Sequence, residues 1–276
     1  MKTYCIDSYE GIGPQSTSTN YIIHSDLARG EAQVHSPNFS TKMLLAGSER
    51  YESENNRFSI KRDQFLLTAP DEPFSLTIDT SAVGYCFYFD TDYIKSLMSE
   101  LISEDLDGGE GAVPSMRTIR LPINSSRLGL SMLAIANNTL HADTDSLSTD
   151  LAETLINLSS LSAKLPCKRE KTKQELLARL EIARTFIIDE QNNSITLLDI
   201  SRASSLSCYH LNRSFSAAYG VPPLRFHQNL KLDAARKKIM AGFPQSMVAA
   251  EIGFSTTSSF SRAYRRRHNC SPLHDE

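Results

Sequence analysis

Two groups of side chains in the last third of the chain have the chemistry of a surface that reads hydrogen-bonding patterns. The first is Ser207, Tyr209, Asn212 and Arg213; the second is Thr257, Ser258, Arg262, Arg265 and Arg266. An arginine fork grips guanine O6 and N7 at once, and each such contact discriminates between bases by about 1–3 kcal/mol. Asparagine matches the adenine edge, while short hydroxyls reach phosphate or sit against a thymine methyl. The run Arg265-Arg266-Arg267-His268 offers charge to phosphates, although such a run also makes an ordinary solvated face. Cys208 sits where a helix N-terminus would activate a thiol, but a small filler needs nothing more than its size.

Those residues can act together only if helices turn them to one side. Leu197 to Ala203 reads as a short helix and Ser204-Ser205-Leu206 as a tight turn. Ser207 is then an N-cap for a second helix that Gly220 ends. Leu211 and Phe215, four apart, must face inward, which leaves Cys208, Tyr209, Asn212, Arg213 and Ser216 outward. The pattern then recurs. Met247 to Glu251 is a first helix, Gly253 supplies a turn with positive φ, and Thr256 caps a helix from Thr257 to about His268. Phe260 and Tyr264 take the inward positions, leaving Thr257, Ser258, Ser261, Arg262 and Arg265 outward. One helix-turn-helix is a weak signal; two in register, at 195–220 and 244–268, are a strong one.

Between the copies, Pro222 and Pro223 start a helix with apolar positions at Leu224, Phe226, Leu230, Leu232, Ala235 and Ile239. A helix reaching about Met240 spans roughly 27 Å. Adjacent major grooves on one DNA face lie about 34 Å apart. A strut of that length sets two recognition helices into neighbouring grooves.

The string Ser207-x-x-x-Leu211-x-Arg213-x-Phe215, then Gly220-x-Pro222-Pro223 and Lys231-Leu232-x-x-Ala235-Arg236, resembles the first half of the AraC/XylS-type DNA-binding domain. Val248-Ala249-x-x-x-Gly253-Phe254-Ser255-x-x-Ser258-x-Phe260-x-Arg262-x-Tyr264-Arg265 and Ser271-Pro272 resembles its second half. Residues 175–273 carry the likeness. It implies a transcription regulator, with promoter DNA, RNA polymerase and a second copy as partners, often in an activating role. It also implies a cupin-like amino-terminal domain that takes a small-molecule effector, and no cofactor. The chain departs from the pattern at Lys231, where an arginine is usual, and at Ser201 and Ser205, which replace small residues of the first turn. Gln245 stands at a normally apolar position, and Asn269 replaces a glycine.

The rest of the chain fits a separate sensing part. Residues 1–167 hold 12 Lys+Arg against 22 Asp+Glu, and residues 168–276 hold 17 against 10. The polyanion-binding half is therefore the second. From Tyr21 to Phe89 short strands alternate with turns: Phe58–Ile60, Gln64–Thr68, Phe74–Ile78 and Tyr85–Phe89 read as strands of a small sandwich or barrel. Asp105 to Pro114, with Gly108, Gly109 and Gly111, reads as a turn segment. Leu147, Leu151, Leu155, Leu158 and Leu165 stripe one side of a helix placed where such regulators carry a dimerisation helix, and Gln174 to Asp189 forms another amphipathic helix.

The expected fold is α+β: a cupin-like β-sandwich or barrel over 1–120, a helical dimerisation and linker region over 121–166, and an all-α domain with two helix-turn-helix motifs over 167–276. His24 and His35 lack the closely spaced partners of a metal site, and Gly11-x-Gly13 does not sit between a strand and a helix as a phosphate cradle would. No Ser/His/Asp set has a catalytic context, although a catalytic β-sandwich with a helical appendage is an alternative. Five scattered cysteines without a C-x-x-C, no apolar run of membrane length and no signal pattern over Met1 to Gly13 point to the cytoplasm.

Overall fold

The structure is a computed structural model describing residues 2–9, 20–54, 56–105, 118–137, 143–167 and 169–272. Of the expected turn at 105–114, Asp105 is the last residue of a helix; residues 106–114 and the glycines at 11 and 13 lie outside the described residues. The chain divides into two compact units, Met1–Glu181 and Ile182–Glu276. The first is β-rich and the second all helical, as the α+β reading anticipates.

Unit 1 is built on β1 (Lys2–Ile6), β2 (Tyr21–Val34), β3 (Phe39–Gly47), β4 (Glu49–Glu52), β5 (Arg57–Ile60), β6 (Gln64–Thr68), β7 (Phe74–Phe89) and β8 (Ile119–Pro122). The strand order is β1-β2-β7-β3-β6-β8, with β4 joining β5 to β7. β1 runs parallel to β2 and the other pairs are antiparallel. The two expected strands Phe74–Ile78 and Tyr85–Phe89 are one strand. Asp79-Thr80-Ser81 looks like a turn, but β2 pairs along both halves of β7 through a bulge at Ala28/Gly30, and Asp79 is held by both guanidinium nitrogens of Arg50 at 2.6 and 2.8 Å. Gly84 makes the crossing possible: a Cβ there would come within 2.2 Å of the Met43 carbonyl oxygen. β7 therefore pairs with β3 over one half and with β4 over the other, which curls the sheet. Leu27, Leu44, Tyr51, Ile60, Leu66, Phe74, Leu76 and Ile78 fill its inner face.

The outer face is covered by helices. Thr41 on β3 points its hydroxyl at the Met132 sulfur, 2.9 Å away on α2 (Arg127–Ala136). With both faces covered, Phe39 to Leu44 are all buried and show no alternation to betray a strand. α1 (Thr91–Asp105), which the sequence reading does not contain, and α2 both pack against α3 (Thr144–Lys164). Ser131 of α2 donates to Asp150 of α3 at 2.7 Å. This corrects the reading of the leucine stripe. Leu147, Leu151, Leu155 and Leu158 are 0–4% exposed within the single chain, so the stripe faces its own unit and not a second copy.

α4 (Glu170–Asp189) runs across the division between the units. Unit 2 continues with α5 (Leu197–Ser204), α6 (Cys208–Tyr219), α7 (Pro223–Met240), α8 (Gln245–Glu251) and α9 (Thr257–His268). Leu211, Phe215 and Ala218 of α6 are buried, with the Phe215 ring 5.6 Å from that of Phe226 on α7. Leu232, Ala235, Ile239, Val248, Ala249, Phe260, Ala263 and Tyr264 form the second core. Leu224, expected inside, is 43% exposed, because it lies in the first turn of α7 where only Pro223 is covered.

Two stability outcomes follow. Leu155→Ala should lower the stability of the full chain by about 2–5 kcal/mol in urea unfolding, as for a leucine lost from a packed interior. Ser205 holds φ 54°, the left-handed region that L side chains enter at a cost. Ser205→Gly should therefore raise the stability of unit 2 by about 1 kcal/mol, read from its own unfolding transition.

Candidate nucleic-acid interface

Each hairpin is fixed by local chemistry. Thr196 and Asp199 form a reciprocal capping box at the start of α5. The hydrogen bonds from Thr196 lower the Asp199 pKa, keeping the carboxylate charged at the helix N-terminus. Ser205 then turns the chain, and the Ser201 hydroxyl donates to the Leu206 carbonyl across the turn. The serine that replaces a small residue at 201 thus closes the turn instead of disturbing it. Ser207 accepts from the His210 amide at 3.3 Å to cap α6, and Gly220 closes it at φ 76°.

In the second hairpin Thr256 accepts from the Ser259 amide at 3.2 Å, and Gly253 turns at φ 89°. Asn269 ends α9 at φ 60°, its amide donating to the Arg265 carbonyl at 2.9 Å. It fills the role of the expected glycine because asparagine tolerates this conformation.

On α6 the anchors leave Tyr209, Asn212 and Arg213 exposed, Tyr209 at 69%. His210 belongs with them, exposed and edge-on to Tyr209 at 5.7 Å. The sequence reading passed over it, although its place three residues after the cap puts it among the leading residues that a recognition helix turns to base edges. Cys208 does not join this face. It is half-buried with its sulfur 3.9 Å from the Leu197 carbonyl, filling the α5–α6 contact. Ser216 is also half-buried, and its hydroxyl is spent on the Asn212 carbonyl at 2.6 Å.

On α9, Thr257, Ser258, Arg262, Arg265 and Arg266 are exposed, opposite buried Phe260, Ala263 and Tyr264. The Arg262 Nε rests along the helix, 3.4 Å from the Ser258 carbonyl. Ser261, expected outward, instead accepts from Gln245 of α8 and donates to the Thr257 carbonyl. Gln245 thereby replaces an apolar contact between α8 and α9 with a hydrogen bond. The basic run splits. Arg267 grips both carboxylate oxygens of Asp233 on α7 at 2.9 and 2.7 Å, and these bonds raise its pKa. The His268 ring meets the Leu232 carbonyl at 3.2 Å and lies against Tyr264. Arg265 and Arg266 remain on the open side.

α7 connects the hairpins with 18 residues, about 27 Å of rigid rise. Lys238 of α7 pairs with Glu251 of α8, and the His227 ring donates from Nε2 to the Glu190 carbonyl, 3.2 Å away. Burial lowers the His227 pKa, so the ring is neutral near pH 7. In unit 1, His24 packs against the Tyr85 ring at 4.8 Å and exposed His35 pairs with Asp71 at 3.8 Å. Among the described residues no three His, Cys, Asp or Glu side chains gather as a metal site.

Residues 200–274 match the helix-turn-helix domain family. Over 133 residues, 48% of this chain, the sequence is 30% identical to "Probable transcriptional regulator LumQ" of Photobacterium leiognathi and covers 52% of it. Over 121 residues, 44% of this chain, it is 26% identical to the HTH-type transcriptional regulator ExsA of Pseudomonas aeruginosa and covers 44% of that protein. The chain thus spans about half the length of these curated relatives. The crystal structure of ToxT from Vibrio cholerae O395 aligns over 92% of this chain and 95% of that one, at 11% identity and a TM-score of 0.39. The helix-turn-helix match and the two regulator sequences lend no support to a catalytic sandwich with a helical appendage. Residues 200–274, with their twin capped hairpins, thus form a helix-turn-helix domain similar to that of these transcriptional regulators.

Proposed function

We propose that this protein is a sequence-specific transcription regulator that places α6 and α9 in adjacent major grooves on one face of promoter DNA. One observation carries the reading: two hairpins, each capped and anchored by aromatic residues, present exposed arginines on the side opposite those anchors. Tyr209, Asn212, Arg213 and Arg262 read base edges. Ser207, Thr257, Ser258, Arg265 and Arg266 hold the backbone or supplement that readout. α7 sets the distance between them.

The division of labour follows the charge. Residues 1–120 answer to a small-molecule effector, 121–166 support that part, and 167–276 bind DNA. RNA polymerase is the partner through which bound protein activates transcription. A second copy pairs two half-sites, and since the leucines of α3 face inward, that contact uses another surface. All five cysteines are free, and among the described residues no helix is long and apolar enough to cross a membrane; both suit a cytoplasmic setting.

Affinity of the full chain for duplex DNA should fall steeply with salt, the slope of log K against log salt changing by about −0.9 per phosphate neutralised. A flat response overturns the assignment. Arg213→Ala and Arg262→Ala should each cost about 1–3 kcal/mol on the selected site and little on random duplex, measured side by side by anisotropy titration. Arg266→Ala should weaken both duplexes alike, as a phosphate contact does. Arg267→Ala should leave DNA affinity unchanged and lower stability by less than about 1 kcal/mol, because its partner is Asp233 and the pair is more than one-third exposed.

A further inference from the structure

The curled sheet of unit 1 encloses a cavity of about 60 Å³. Ile23, Leu27, Val34, Phe74 and Leu76 make its walls apolar. Half-buried Ser36 and Glu72, with exposed His35, form its rim. Just inside lies a hydroxyl pair, Ser40 with Thr68 at 2.6 Å. Lys42 follows two residues further along β3, about 7 Å deeper at the usual strand rise.

Lys42 is 5% exposed, in a place where a lone ammonium is not tolerated. Its Nζ donates to the Ser25 hydroxyl at 2.7 Å and lies 3.2 Å from Oε1 of Glu49, which is fully buried on β4. Tyr51 donates to the other Glu49 oxygen at 2.7 Å. Burial, the largest single influence, would lower the Lys42 pKa; the Glu49 charge and hydrogen bond together with Cys86 raise it, and the ammonium stays charged. Burial pushes the Cys86 thiol and the Tyr51 and Tyr88 phenols up, so these wall residues are neutral. The interior therefore sums to zero charge. An ammonium has three protons, and Ser25 and Glu49 account for two of them. The third is left for the cavity that Lys42 lines.

We propose that this cavity binds an uncharged, unbranched, mainly aliphatic molecule whose single hydroxyl or carbonyl oxygen accepts the remaining proton of Lys42. An anion meets the Glu72 carboxylate at the rim and the Glu49 carboxylate behind Lys42, with no cation left unneutralised. A cation meets the ammonium. At about 60 Å³ the cavity is well below the size of about 150 Å³ that accepts benzene, so an aromatic ring does not fit inside it. An alkyl chain fits the apolar walls and runs out past the hydroxyl pair to the rim. The proposal deepens the reading of unit 1 as the effector-binding part and rests on it only for its regulatory meaning.

The test uses the full chain with three probes of equal length: 1-hexanol, hexanoate and hexylammonium. The chain has no tryptophan, so tyrosine fluorescence reports on the cavity through Tyr51 and Tyr88, with the thermal midpoint as a second readout. Saturable binding of 1-hexanol, at least roughly tenfold tighter than either ion, is expected, as a buried unpaired charge is costly. Hexanoate binding as tightly as 1-hexanol, or no saturable response to any probe, overturns the proposal. Lys42→Met strands Glu49 and risks unfolding, so the deciding variant is Lys42→Met with Glu49→Gln, which keeps the interior neutral. It should weaken 1-hexanol about tenfold, the worth of one hydrogen bond from a charged donor; unchanged affinity sinks the assigned role of Lys42. Repeating the titration with duplex DNA present separates the two readings. Binding of 1-hexanol that leaves DNA affinity unmoved upholds the cavity's ligand class and overturns its regulatory role.

Discussion

Burial of Phe260 and Tyr264 on one side of α9 decides where its arginines point. Both rings are fully covered, and a helix pinned along one side has no freedom to rotate. Phe215 and Leu211 do the same for α6. Everything that makes unit 2 a reading surface depends on these apolar contacts, because an arginine fork contributes specificity only when its backbone is held in register with the groove. The polar contacts between helices refine this. Gln245 with Ser261, Lys238 with Glu251 and Arg267 with Asp233 tie α7, α8 and α9 together.

Those ties change the meaning of the charge imbalance. The basic half has an excess of positive charge, but Arg267 and Lys238 are committed to carboxylates inside the unit. Charge counting sees the sum and not the partners. The exposed positive surface is therefore narrower than composition suggests, and it includes Arg265 and Arg266 of α9.

Unit 2 was readable because its signals are local. A cap, an i,i+4 pair of apolar residues and a glycine or asparagine at the end of a helix all act within a dozen residues, and Ser207, Thr256, Gly220 and Gly253 do what their types foretell. The readings that failed depend on distant partners. Nothing in Asp79-Thr80-Ser81 reveals that β2 will hold it straight, and nothing in the stripe of α3 reveals that α1 and α2 will cover it. Cys208 and Ser261 were misplaced for a subtler reason: each lies at the margin of its helix face, where a neighbouring helix and not periodicity decides exposure. The cavity was invisible because Ser25, Lys42 and Tyr51 come from three strands.

The length of β7 also has a consequence in time. Its pairing joins Tyr21 to Tyr88 and Val34 to Phe74, and β6 further waits for β8 to join Phe65 to Leu121. Sheets closed by such distant pairings fold in milliseconds to seconds, while helical hairpins whose contacts are near neighbours fold in microseconds to milliseconds. During synthesis the slow unit leaves the ribosome first and the fast one last. The order of the two units along the chain thus gives the sheet a head start over the helices.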